Sequence, residues 1–197
     1  MTIRALIQIN TAKFHCVALL LITLSTTHAG ASPLGAPPST EVMPRIEFVF
    51  EERVTVGEPV VLGDTALGHR QFIPITGGKI AGPKLNGEVM PGGWDFQLWH
   101  ANGCGSLSAD YFLRADDGTI IHILNESFDC NPKKNGERSF FRPRLEAPKG
   151  KYEWMTSSTF VAILELEMSP ADTGTKDSSA KPAQKLEAVR IKFYQIK

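Results

Sequence analysis

Asp95, Gln97 and Tyr111 are the residues of this 197-residue chain whose types and spacing best suit chemistry. Asp95 follows two glycines in PGGWDF (91–96). In an extended segment it shares a face with Gln97 and Trp99, while Trp94, Phe96 and Leu98 share the other. Polar groups beside a ring suit a pocket wall, with orientation from the former and contact area from the latter. The alternative is a solvent-facing Asp after a tight turn. Tyr111 alternates with Leu107, Ala109 and Leu113, so its phenol points towards a core. Asn125 falls on the same face of the next segment and could partner that phenol. Tyr111 and Asp95 together would form a proton-transfer pair. The competing reading of Tyr111 is a core tyrosine with a satisfied hydroxyl.

Arg142 and Arg144 alternate with Pro143, with Glu146 on their face. Turned inward, an arginine would hold a carboxylate or enolate bidentately. A solvated charged face is the commoner outcome. Tyr152 and Trp154 share a face and could stack on a flat ligand, although such pairs more often belong to a core. The candidate set is therefore Tyr111 and Asp95 for catalysis, with Gln97, Asn125, Arg144 and Trp154 for binding.

Other chemistries find little support. His69, His100 and His122 have no H-x-H or H-x-x-x-H spacing, so no metal site is expected. His122 could carry a proton, but a core or surface histidine is the simpler reading. No phosphate loop, dinucleotide fingerprint or G-x-S-x-G elbow occurs, and no cofactor is expected. Glu52 is an acid on an otherwise apolar face. A bulge at Glu51-Glu52 would turn it to solvent, where two adjacent acids cost little.

Strands must position these groups. In RIEFVFEERVTV (45–56), Ile46, Phe48, Phe50, Val54 and Val56 fall on even positions, and polar residues dominate the odd ones. That period of two marks a strand with one buried face. Nine further short runs follow: 60–64, 69–76, 84–90, 94–100, 106–114, 119–126, 139–146, 158–168 and 185–196. Gly-Gly, Pro-Gly, Asn-Gly and Asp-Gly signals stand between them. About ten short strands without an amphipathic helix predict an all-β domain, a single antiparallel β-barrel. Closure is the economical way to remove exposed edges. Residues 169–184 have the composition of a flexible surface loop.

One hairpin fixes its own register. SLSADYFLR and TIIHILNE flank ADDG, and Asp117-Gly118 suits a two-residue type I′ turn. Centring the turn on Asp117 makes paired residue numbers add to 234, and Cys104 and Cys130 obey the same sum. These two cysteines therefore meet at the open end of the hairpin. In an oxidising compartment they are expected to form a disulfide contributing roughly 3 kcal/mol. Asn125-Glu126-Ser127 is a glycosylation sequon, usable only if Asn125 faces outward.

The first 29 residues read as a signal peptide. Arg4 and Lys13 precede the apolar run CVALLLITL (16–24), and THA (27–29) supplies small residues for cleavage. The run is shorter than the roughly 20 residues a membrane-spanning helix needs. The expected location is extracellular or within the secretory pathway, periplasmic in a bacterium, without stable membrane insertion after cleavage. Residues 30–42 form a Gly/Pro/Ser-rich linker, and 43–197 the barrel domain. Removing Arg4 and Lys13 leaves 19 basic against 21 acidic residues, which argues against a nucleic-acid surface.

PRIEFVFEERV (44–54), RQFIPITGGKIAGPKLNGEVMPGGWDFQL (70–98), LSADYFLRADDGTII (107–121) and FFRPRLEAPKGKYEWM (140–155) occur in this order. Together they resemble the bacterial and fungal family known as domain of unknown function 3237. The ITGG…G-x-x-L-x-G-x-x-x-PGG-x-D block carries most of the specificity. The resemblance spans about 43–196 and implies a compact, calycin-like antiparallel barrel. It implies no particular reaction.

Three functions are open at this point. One is a barrel that binds a small apolar or aromatic metabolite. The second is a cofactor-independent cyclase or isomerase of small-molecule metabolism using Tyr111 and Asp95. The third is a structural or interaction protein with a filled interior.

Overall fold

Extended strands build almost the whole described domain, and Gly105–Ala115 and Ile120–Asp129 show the alternation of buried and more exposed residues most cleanly. The computed structural model describes residues 43–130, 138–168 and 186–197. The expected signal peptide, the expected linker and the expected loop 169–184 lie outside these residues. Ten strands run in chain order: β1 Ile46–Val56, β2 Val60–Thr65, β3 Gly68–Ala81, β4 Gly87–Val89, β5 Trp94–Trp99, β6 Gly105–Ala115, β7 Ile120–Asp129, β8 Arg138–Glu146, β9 Thr159–Met168 and β10 Leu186–Ile196. Each matches one of the ten runs read from the sequence. All pairings are antiparallel, and no α-helix occurs among the described residues.

The sheet closes on itself in the order β1, β10, β9, β8, β7, β6, β5, β3 and back to β1. That is an eight-stranded barrel, with β2 and β4 as two extra short strands. β4 and β5 occupy successive stretches of one stave between β3 and β6. Met90–Gly93 interrupts that stave. Gly92 takes φ 107°, and a Cβ on Gly93 would lie 2.4 Å from Tyr111 Cβ. The glycine pair thus lets the wall press against the backbone of β6.

The β6–β7 hairpin has the expected register: Tyr111 pairs with Ile123, Ala109 with Asn125 and Gly105 with Asp129. Its turn differs from expectation. Asp116–Gly118 form a three-residue loop, with Gly118 at φ 86° and Gly118 N–H donating to Ala115 O. A register centred on one residue requires an odd loop, so a two-residue turn cannot serve. Cys104 and Cys130 are joined in a disulfide just beyond the open end.

The first strand corrects a second expectation. Phe48 pairs with Tyr194 but Phe50 with Phe193, so Val49 is the extra residue of a bulge. Ile46 and Phe48, expected inside, are 66% and 38% exposed. Beyond the bulge Phe50, Glu52 and Val54 face inward. The bulge lies before the two acids rather than at them, so Glu52 is fully buried.

One end of the barrel is closed by the β8–β9 connection. Its 3₁₀ turn, Glu153–Met155, buries Met155, and Tyr152 beside it is buried too. Thr156 Oγ1 accepts from Ala147 N–H at 3.0 Å and ties the connection back to β8. The other end carries the disulfide.

Candidate functional site

Across the wall, Asp95 on β5 pairs with Ala109 on β6, and Ala109 pairs with Asn125 on β7. All three side chains line the barrel interior. Two strand spacings of about 4.8 Å separate Asp95 from Asn125, with only a methyl group between them. Tyr111, two residues along β6, lines the same space. The result is a chamber of about 50 Å³, otherwise walled mainly by Val54, Ile75, Phe141, Leu164 and Ile191. A second cavity of about 360 Å³ lies beside it towards the disulfide end; it shares Phe141 and Leu164 with the chamber and is lined further by Gln97, Trp99, Leu107 and Ser127, and we call it the vestibule. A water needs about 10–15 Å³ of such volume, so the chamber fits a small polar head while the vestibule can take a ligand's body. Gly105 leaves the room in which the Trp99 ring lies; a Cβ there would come within 2.5 Å of it.

The polar groups form two chains. Gln71 Nε2 donates to Gln97 Oε1 at 2.6 Å, and Gln97 Nε2 donates to Asp95 Oδ2 at 2.6 Å. Asp95 Oδ1 has no partner among the described residues, nor does either amide atom of Asn125. Separately, the Tyr111 hydroxyl lies 2.8 Å from Glu52 Oε2, and Glu52 Oε1 is unpartnered among the described residues. Burial raises the Asp95 pKa, against opposing hydrogen bonds from the Gln97 side chain and the Ser108 backbone. Burial pushes Glu52 up to about 8, the Tyr111 hydrogen bond working the other way. Tyr111 itself is held well above its ordinary range, by burial first and then by the Glu52 charge. The chamber therefore carries a carboxyl biased towards holding a proton, a phenol that stays O–H, and an amide with a free donor and a free acceptor.

The structure brings together Asp95, Gln97, Tyr111 and Asn125. It does not bring Arg144 to them. Arg144 lies on the outer face, 70% exposed, paired with Glu126 at 3.2 Å. Its alternation places Phe141, Pro143 and Leu145 inside, so a ligand-binding Arg144 is corrected to a surface residue. Trp154 sits at the closed end, packed near Phe160 and under Lys84, away from the chamber lining. Asn125 is 1% exposed, so the folded barrel withdraws the sequon from glycosylation. His122 is on the outside, 2.7 Å from Asp110. Two contributors escaped the sequence reading: Glu52, misjudged through the bulge position, and Gln71, which no motif marks. An acid on an apolar face was the available signal for Glu52; nothing marked Gln71.

No group of three or more His, Cys, Asp or Glu residues among the described residues could hold a metal ion. Fold and site define a closed β-barrel, plugged at one end, with a small, mainly apolar internal chamber into which Asp95, Tyr111 and Asn125 bring polar groups. The chain belongs to the family described as protein of unknown function (DUF3237), which it matches over residues 44–196. A UPF0311 protein of Clostridium acetobutylicum is 40% identical over 129 residues, 58% of this chain and 82% of that one. A hydroalkoxylation enzyme of Penicillium herquei is 26% identical over 126 residues, 64% of this chain and 76% of that one. Among solved structures, a C. acetobutylicum protein of unknown function superposes with TM-score 0.59 at 32% identity, covering 79% of this chain and all of that one. A β-barrel-like protein of Acinetobacter baumannii gives TM-score 0.62 at 21% identity over 83% and 99% of the two chains, a likeness of fold.

Proposed function

We propose that this protein is an exported acid–base enzyme that acts on one small, uncharged, unsaturated molecule held in the barrel. The observation that carries the reading is the set of buried polar atoms without partners among the described residues, Asp95 Oδ1 and both amide atoms of Asn125, on the two strands that flank Ala109. Leaving such atoms unpaired costs about 1–3 kcal/mol each, a cost that a ligand's polar head would offset. Among the described residues, the inner chamber's lining contains no Lys, Arg or His, which favours an uncharged ligand. Export is supported by the N-terminal pattern and by the disulfide.

The Penicillium relative's name suggests the reaction class: addition of an O–H group across a carbon–carbon double bond. The chamber takes a single reacting head, so hydroxyl and alkene belong to one molecule. Asp95 accepts the hydroxyl proton as the oxygen attacks the alkene and the C–O bond forms. The alkene's electron pair moves onto a conjugated carbonyl oxygen, held by Tyr111 O–H and Asn125 N–H. Asp95 then returns the proton to carbon, so nothing is oxidised or reduced. A carboxyl whose pKa is raised towards working pH suits both halves of this transfer.

The apolar vestibule also fits a plain ligand carrier, and one experiment separates the two. The mature protein is incubated with a panel of hydroxy-enones in D₂O. Turnover gives a cyclic isomer carrying one deuterium on carbon, and Asp95→Asn slows it on the order of 100-fold or more. Binding of the panel without conversion refutes the enzyme and leaves the carrier.

A further inference from the structure

We propose that Glu52 is a positioning residue that decides which way the Tyr111 hydroxyl points. A protonated Glu52 donates to the phenol oxygen, and Tyr111 turns its own O–H to the chamber. An ionised Glu52 accepts a hydrogen bond from the phenol O–H, and Tyr111 then offers the chamber only lone pairs.

Geometry carries the inference. Glu52 is fully buried and its one polar contact among the described residues is the Tyr111 hydroxyl at 2.8 Å. Its cross-strand partners are apolar: Ile80 on β3 and Ile191 on β10. The flanking charges of β1 and β10 lie on the outer face, where Arg190 pairs with Glu51 and Glu167, Arg53 with Glu167, and Lys192 with Glu165. From β6, Tyr111 is the titratable group that faces it. From β5, Asp95 acts on Tyr111 rather than on Glu52. No described cation therefore holds Glu52 ionised, and its proton is exchanged with Tyr111 as sole described polar partner. Burial places its ionisation near pH 8, within reach of a titration that leaves the phenol intact.

The inference rests on the reading of Tyr111 as the hydroxyl that meets the ligand, but its test needs no substrate. Failure of the hydroxy-enone assay and failure of this one are thus distinct results. The chain has three tyrosines, Tyr111, Tyr152 and Tyr194. With tyrosine labelled at ¹³Cζ, Tyr111→Phe assigns the resonance of interest. On raising the pH from 6 to 9.5, the Tyr111 signal is expected to move in one step centred near 8. Glu52→Gln is expected to abolish that step. A Tyr111 signal that stays flat, or a step that survives in Glu52→Gln, overturns the proposal. Should Glu52→Gln fail to fold, ¹³Cδ-labelled glutamate in the unmutated protein decides. The one carboxyl titrating near 8 must share the midpoint of the Tyr111 step, and two distinct midpoints overturn the proposal.

Discussion

Replacing Glu52 with glutamine should stabilise the barrel more and more as pH rises from 5 to 8. Glu52 is fully buried and its pKa rises from 4.5 to about 8 on folding. The unfolded chain releases the proton above 4.5, whereas the folded one keeps it until about 8. The associated stability is complete below 4.5, is lost as pH climbs through that window, and is constant above it. At 1.36 kcal/mol per pH unit, less the saturation at each end of the window, the loss between pH 5 and pH 8 is about 3.5 kcal/mol. The variant's glutamine cannot ionise and escapes that loss, while any cost of its amide is independent of pH. Asp117, Glu47 and Glu167, all lowered by cationic partners, change their contribution only at more acidic pH. Urea unfolding of both proteins at pH 5, 6, 7 and 8, disulfide intact, measures the effect. The stability difference, variant minus parent, should grow by about 3.5 kcal/mol across the series. A difference constant to within about 1 kcal/mol would mean that Glu52 is ionised in the fold, and the reasoning from burial would be wrong.

Three further outcomes follow from the same geometry. Ala109→Leu fills the gap between Asp95 and Asn125, so binding or turnover of the hydroxy-enone panel should fall at least about tenfold while near-ultraviolet circular dichroism stays unchanged. Gly93→Ala brings a methyl to 2.4 Å from Tyr111 Cβ and should cost about 1–3 kcal/mol in urea unfolding; a neutral result would show that the β4–β5 interruption is free to shift. Replacing Cys104 and Cys130 together by serine removes a link across 26 residues and should cost about 3 kcal/mol in the same assay, and a loss under about 1 kcal/mol would show that the hairpin register already constrains the unfolded chain.

Local pattern made much of this protein legible. A period of two in the first segment, and short runs bounded by turn signals in the other nine, specified strands, because side chains alternate across a pleat whatever lies beside them. The turn at Asp117 set the β6–β7 register, and with it the inward face of Tyr111 and Asn125 and the approach of the two cysteines. These are properties of a strand or of one hairpin, and short range suffices to read them. Which face of an isolated strand turns inward is a different matter, since it depends on register with distant partners. WDFQLW is apolar on one face and aromatic on both, and only its pairing with β3 and β6 put Asp95 and Gln97 inside. Arg144 was sent outward by its place between β7 and β9.

Glu52 shows the division most clearly. Its acid on an apolar face was visible in the sequence, but a bulge belongs to a pair of strands rather than to one. It was the pairing of β1 with β10, more than a hundred residues away in the chain, that placed the extra residue at Val49. That shift turned Glu52 inward against Tyr111. Residue order was enough to specify the strands, the hairpin and the chemistry available. Which of those groups meet was settled only by closure of the barrel, because closing it sets the parity of every stave at once.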